Sequence, residues 1–190
     1  YVGAVAYSPD GKWFATSSTD SKVTIWDAAQ FSKIKELPGE EGGISGVLAF
    51  TPNGRLLVAQ EQTVKNTQQR MLNLWEVETW RLAGQSPPLG NLLASPDSRF
   101  LLGYFWHTFD LATMKHSTQH RTEESFGRGA LSPDGQWMAT TDKGGFVSFW
   151  DLRRFWTVGE HKLIARYSAH RDRGRAIAYS PNGRLVASGS

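Results

Sequence analysis

An all-β fold of repeated antiparallel sheets is predicted by three features of the 190 residues. A four-residue turn, Ser/Thr-Pro-Asp/Asn followed by Gly or Ser, begins at Ser8, Thr51, Ser95, Ser132 and Ser180, at spacings of 43, 44, 37 and 48 residues. Each turn lies between two short segments of alternating apolar residues, the period-two pattern of half-buried strands. After four of the turns an aromatic side chain is followed at once by an acid, at Trp26–Asp27, Trp75–Glu76, Phe109–Asp110 and Trp150–Asp151.

The elements follow in order from these features. First strands are VGAVAYS, GVLAFT, NLLAS, GALS and AIAYS. In the turn, proline presets φ at about −65°, Asp or Asn tolerates the next corner, and Gly takes the positive φ that a Cβ resists. Second strands are KWFATSS, RLLVAQ, RFLLGYF, QWMATT and RLVASGS, so each turn closes a hairpin. Third strands, VTIWDA, LNLWEVE, HTFDLAT and VSFWDLR, carry the aromatic–acid pairs. Weaker fourth strands include KIKEL at 33–37 and KLIARYS at 162–168. Four strands in about 43 residues, repeated, make one blade of a β-propeller.

The SPDG-type turns and the Trp–Asp pairs at this period resemble the WD40 repeat family over essentially the whole chain. The resemblance implies a ring of four-stranded antiparallel blades, usually seven, acting as a non-catalytic platform on which other proteins assemble. It also implies a polar network within each blade, joining a His before the first strand, a Ser/Thr late in the second, an Asp in the next turn, and the Trp. Buried polar groups of this kind are tolerated when each finds a partner.

Nowhere is that network complete. The first unit offers Ser18, Asp20 and Trp26, and its His would precede Tyr1. In the fifth unit His170 stands ten residues before Ser180, and the chain stops before an Asp or Trp. Glu41 takes the His position of the second unit; in the fourth, Gly144 falls at the Asp position with Asp142 two residues early; in the third, Phe109 replaces Trp. Degenerate blades must cohere mainly by apolar packing between neighbouring sheets, with Trp26, Trp75 and Trp150 as structural residues.

Residues 1–190 read as one WD40 domain segment, with units beginning near 1, 44, 90, 127 and 175, the last incomplete. That is about four and a half blades. A ring of six to eight blades needs roughly 260–340 residues. The expectation is therefore a partial ring, its remaining blades supplied by a longer parent chain, with completion by a second chain as the alternative. The start YVGAVAYSPDG, lacking Met, agrees with a chain cut from something longer.

Composition narrows the class. Hydrophobic residues at 39% and charged residues at 21% suit a globular domain rather than a disordered one. There is no cysteine, hence no thiolate chemistry, and there is no N-x-S/T sequon. No secretory start and no apolar run of roughly 18 residues occurs, so no membrane partner is expected and cytoplasm is the default location. Net charge is +3, and the surplus is C-terminal: residues 150–190 carry eight Lys/Arg against three Asp/Glu, while residues 1–50 carry four against six.

Catalytic motifs are missing: no G-x-S-x-G, P-loop, G-x-G-x-x-G after a strand, or H-E-x-x-H is present. His116 and His120 have i, i+4 spacing but fall in a strand-to-loop segment, where that spacing does not place both on one helical face. Asp10, Asp97 and Asp134 belong to turns, and Asp27, Asp110 and Asp151 end third strands. The chain is expected not to be an enzyme, and no cofactor or metal is implied. The rival reading, a catalytic or small-molecule-binding propeller, would need polar residues converging in a central channel. The innermost strands offer only small apolar stretches, GAVA, GVLA and GALS.

Binding residues concentrate on loops held by a rigid scaffold. In the resembling fold, the loops leading into blades and those joining second to third strands share one rim. That rim would gather Lys65 and Arg70 from QEQTVKNTQQR, Arg121 and Arg128 from HRTEESFGR, and Arg171, Arg173 and Arg175 from SAHRDRGR. Guanidinium groups suit bidentate capture of carboxylate or phosphate, so the expected partner is an acidic peptide or protein surface. A second basic run, DLRRFWTVGEHK, mixes Arg153 and Arg154 with Phe155 and Trp156. It reads first as an anchor against the outermost strand; clasping nucleic acid is the weaker reading.

Overall fold

A computed structural model describes residues 2–18, 22–38, 44–61, 71–90, 92–103, 106–117 and 126–190. The chain falls into two compact units, one of residues 1–90 with 113–115, the other of residues 91–112 with 116–190.

In the first unit, β1 (Val2–Tyr7), β2 (Trp13–Ser18), β3 (Val23–Asp27) and β4 (Lys33–Leu37) form an antiparallel sheet in chain order. A second sheet repeats the order with β5 (Ile44–Phe50), β6 (Leu56–Glu61), β7 (Leu72–Glu76) and β8 (Leu82–Ser86). The second unit contains β9 (Leu93–Ala94), β10 (Phe100–Leu102), β11 (Thr108–Asp110) and β12 (Lys115–Ser117) in one sheet. Next come β13 (Gly129–Leu131), β14 (Trp137–Thr141), β15 (Phe146–Asp151) and β16 (Lys162–Ser168). Last is a two-stranded sheet of β17 (Ala176–Tyr179) and β18 (Val186–Gly189). The sheets are those of β-propeller blades, and the one helix among the described residues is α1 (Phe155–Val158), four residues long.

The recurring turn is built identically each time. Ser8 Oγ donates to Asp10 Oδ1 at 2.7 Å and accepts from Trp13 N–H at 2.9 Å, while Asp10 Oδ1 also takes Lys12 N–H at 3.1 Å. The same hydroxyl-to-side-chain bond joins Thr51 to Asn53 (2.8 Å), Ser95 to Asp97 (2.5 Å), Ser132 to Asp134 (2.5 Å) and Ser180 to Asn182 (2.7 Å). Ser8, Thr51, Ser95 and Ser132 are buried, so each hydroxyl needs the partners the motif supplies. The Asp or Asn thus does more than tolerate a corner: it seals the hairpin.

Packing between neighbouring sheets makes the core of each unit. Ala15, Val23, Ile25 and Leu37 of the first sheet meet Phe50, Leu57, Ala59, Trp75 and Val77 of the second. In the second unit Leu102, Trp106, Phe126, Met138, Trp150, Leu152 and Phe155 form one cluster. Trp106 is its centre, fully buried, with Trp150, Phe126 and Phe155 edge-on at 5.1, 5.5 and 5.5 Å. Burying a Leu or Ile side chain contributes about 1.5–3 kcal/mol, so such clusters dominate over any one polar contact.

The run DLRRFWTVGEHK packs inward, on Phe100 of β10 and on the turn at Gly135 rather than against the outermost strand β16. Phe155 is buried; Trp156 stacks on Phe100 at 5.8 Å and donates its indole N–H to Gly135 O at 2.9 Å. Arg153 pairs with Asp151 and lies over the Trp137 ring, and Arg154 pairs with Glu160 at 2.9 Å. Both aromatics are therefore engaged in packing, and both arginines have acidic partners.

Candidate functional site

The antiparallel order of the β13–β16 sheet places three connections at one end: the loop leading into β13, the β14–β15 turn, and the loop leaving β16. Thr141, the last residue of β14, binds all three together. Its Oγ accepts from Arg128 N–H at 3.2 Å and donates to Gly174 O at 3.1 Å. Its backbone N–H reaches Arg128 O at 2.8 Å, and its carbonyl takes Gly127 N–H at 2.6 Å. Thr141 is only 1% exposed, which makes each of these bonds costly to lose.

Asp142 continues the clamp. Its carbonyl accepts from Gly174 N–H at 3.2 Å, and its Oδ1 accepts from Gly144 and Phe146 N–H at 2.8 and 3.0 Å. Its Oδ2 pairs with Arg166 at 2.6 Å, and that guanidinium lies 4.3 Å over the Phe146 ring. Gly145, at φ +77°, gives its carbonyl to Ala169 and His170 N–H at 3.2 and 3.0 Å. A methyl on Gly145 would sit 2.3 Å from His170 O, so the close approach requires glycine. His170 Nε2 lies 2.8 Å from Ser188 Oγ of β18.

The loop of residues 169–175 is thus tied at His170, Gly174 and, through Arg175 N–H to Gly189 O at 2.7 Å, at its exit. Between the ties stand Arg171 and Arg173, exposed like Arg175, and none of the three guanidiniums has an ion pair among the described residues. Asp172 Oδ1 accepts Arg173 N–H at 2.7 Å. Arg128 is exposed, and its backbone shares the Thr141 hydroxyl with Gly174, which brings the two basic segments to one point. Lys65, Arg70, Arg121 and Asp20 lie outside the described residues, as do Glu41 and His120.

The polar partner of Trp26 differs from the sequence expectation. Its indole N–H donates to Thr16 Oγ1 at 3.0 Å, and Trp150 repeats the bond to Thr140 Oγ1 at 2.9 Å. Strand register is the reason. Trp26 stands opposite Phe14, so Thr16 is its diagonal neighbour on the same face, whereas Ser18 lies a further pleat along. Thr16, Thr140 and the Ser188 that meets His170 each fall eight residues after the turn's first residue. Counting from the turn would have found them. Elsewhere, His116 meets His107 edge-on at 5.2 Å, and its pKa is lowered by burial and then by the His107 charge. Among the described residues no group of three or more His, Asp or Glu could hold a metal.

Residues 1–27, 129–151 and 161–190 match the family described as WD domain, G-beta repeat. These three segments are WD40 repeats. Over 98 residues, 50% of this chain and 30% of that protein, it is 34% identical to meiotic recombination protein rec14 of Schizosaccharomyces pombe. It is 26% identical to WD repeat-containing protein SL1-17 of Schistosoma mansoni over 188 residues, 94% of this chain and 58% of that protein. The chain thus spans 30% and 58% of the lengths of these two relatives. Among solved structures, a chain of Kuenenia stuttgartiensis hydrazine synthase superposes with TM-score 0.76 over 97% of this chain and 67% of that one. Identity there is 16%, so the shared property is the propeller fold alone.

Proposed function

We propose that this chain is a non-catalytic WD40 platform in a larger cytoplasmic protein, and that it docks an acidic peptide or protein surface. Arg171, Arg173 and Arg175, with Arg128 beside them, form the contact; Lys65, Arg70 and Arg121, which lie outside the described residues, are further candidates by sequence alone. The observation that carries this reading is the Thr141–Asp142 clamp. It holds a loop with three unpaired guanidiniums in one conformation before any partner arrives. A preorganised loop loses less freedom on binding, which favours affinity. The WD40 repeats support a protein-binding role, and in the C-terminal part of the chain Arg153, Arg154 and Arg166 are paired with acids whereas the guanidiniums of the 169–175 loop have no ion pair among the described residues.

The test is binding of a fluorescein-labelled oligoglutamate peptide, read by fluorescence anisotropy at low salt. Reversing Arg171 and Arg173 to Glu is expected to weaken binding by more than about tenfold, since rim charges act by complementary potential. Equal affinity of the double variant and the parent chain would refute the assignment.

A further inference from the structure

Between the third and fourth sheets of the second unit lies a cavity of about 160 Å³. Its floor is one face of the fourth sheet: Thr140 and Asp142 from β14 and its turn, Ser148 and Trp150 from β15, Leu163 and Arg166 from β16. Trp106 and Phe126 line the other side. Leu163 and Arg166 are exposed and so stand at the mouth.

Two features of the chain leave this space open. Phe109 follows Ser95 by 14 residues where Trp150 follows Ser132 by 18, so the third unit has less chain to lay over its neighbour. Ser148 also stands opposite Arg166 in the register, as Asn73 does opposite Gln85 in the second sheet, where the two amides bond at 2.8 Å. In the fourth sheet the serine is short, and Arg166 turns instead to Asp142 and the Phe146 ring.

The lining is aromatic and holds a donor in need of an acceptor. A cavity of about 150 Å³ takes one benzene-sized ring, and Trp106, Phe126 and Trp150 supply rings to pack against it. Trp106 is fully buried and its indole N–H has no acceptor, whereas the indoles of Trp26, Trp150 and Trp156 each have one. An indole N–H can only donate, and a buried donor left alone calls for a partner. Asp142 spends both carboxylate oxygens inside the fold, Oδ1 on the Gly144 and Phe146 N–H groups and Oδ2 on Arg166. Its carbonyl accepts from Gly174 N–H, so the cavity and the basic loop share a residue.

We propose that the cavity receives a tyrosine side chain of the acidic partner, its ring among Trp106, Phe126 and Trp150 and its phenol oxygen on the Trp106 N–H. Phenylalanine would fill the same space and leave that donor unmet. A site built to bond a hydroxyl discriminates against the analogue that lacks it. The inference rests on the acidic partner proposed above and adds the residue that anchors it.

Two measurements separate the cavity from the basic loop. In the nitrogen-15-labelled chain, p-cresol, the side chain of tyrosine, is expected to move the assigned Trp106 indole N–H resonance downfield, the direction of a new hydrogen bond; toluene should not. Ser148→Leu, which fills the cavity, should abolish that shift, and Leu163→Trp at the exposed mouth takes its place should circular dichroism show the first variant unfolded. In fluorescence anisotropy, a labelled oligoglutamate with one central Tyr should bind at least about fivefold more tightly than the same peptide with Phe, and that ratio should fall to one in the cavity variant. No shift with p-cresol, the same shift with toluene, or Tyr and Phe peptides that bind with equal affinity would each overturn the proposal. A p-cresol shift with neither peptide bound would support the cavity assignment and refute the basic-loop reading.

Discussion

Replacing Thr141 by Val keeps the side chain's shape and deletes one hydroxyl. Two bonds go with it, the donation to Gly174 O and the acceptance from Arg128 N–H. A net hydrogen bond contributes about 0.5–1.5 kcal/mol, and a buried group left without its partner costs about 1–3 kcal/mol. Gly174 is buried, so its carbonyl bears the larger penalty, while Arg128 is exposed and its amide can turn to water. The expected loss is about 2–3 kcal/mol, read in urea unfolding as a lower midpoint at unchanged slope. Hydrogen exchange should rise first at the Gly174 and His170 amides, because both belong to the clamped loop. Thr141→Ser retains the hydroxyl and should recover most of the loss. If Val at this position unfolds with the parent's midpoint, or if Ser is as damaging as Val, the hydroxyl is not what holds the loop.

Two further outcomes rest on separate features. Gly145→Ala combines a left-handed φ of +77°, costing about 1–2 kcal/mol for a residue with a Cβ, with a methyl 2.3 Å from His170 O; a clear fall in thermal midpoint is expected, and an unchanged one would contradict the close approach. Asp151 is held down to about 2, from an ordinary 3.8, first by the side-chain hydrogen bonds from Arg153. A depressed carboxylate stabilises the fold above its unfolded value, and the contribution disappears as pH falls from 3.8 through about 2. Asp151→Asn should therefore flatten the stability profile in that acid window alone, as followed by tryptophan fluorescence.

The fold was legible because its signals are local. A hairpin sealed by Ser-Pro-Asp-Gly writes its chemistry into four consecutive letters, and strands write theirs in alternation. The polar contact of Trp26 was only half legible. Its existence follows from a buried indole that needs an acceptor, but its partner depends on pairing register, which puts Thr16 rather than Ser18 beside it. Phe155 and Trp156 next to two arginines read the same whether exposed or packed; only the position of Phe100 and Gly135 decides. The clamp on the basic loop was not legible at all. Thr141 and Gly174 are 33 residues apart, and a side chain to backbone bond between two loops leaves no period in the sequence.

Repetition also explains why the first sheet's outer face is built from Val5, Tyr7, Phe14, Trp26 and Phe31. Every sheet of the array has a receiving face and a delivering face, and within each unit these bury one another. On the side strand β4, Lys33 and Lys35 are exposed and Lys33 pairs with Glu36, so polar residues are accepted where solvent is the neighbour. Across the outer face the side chains remain those of the interior, and an aromatic keeps a positive φ that matches the packed Trp80. The backbone at Phe31 is therefore the one that, at Trp80, sets an aromatic edge-on against Trp13 of the neighbouring sheet.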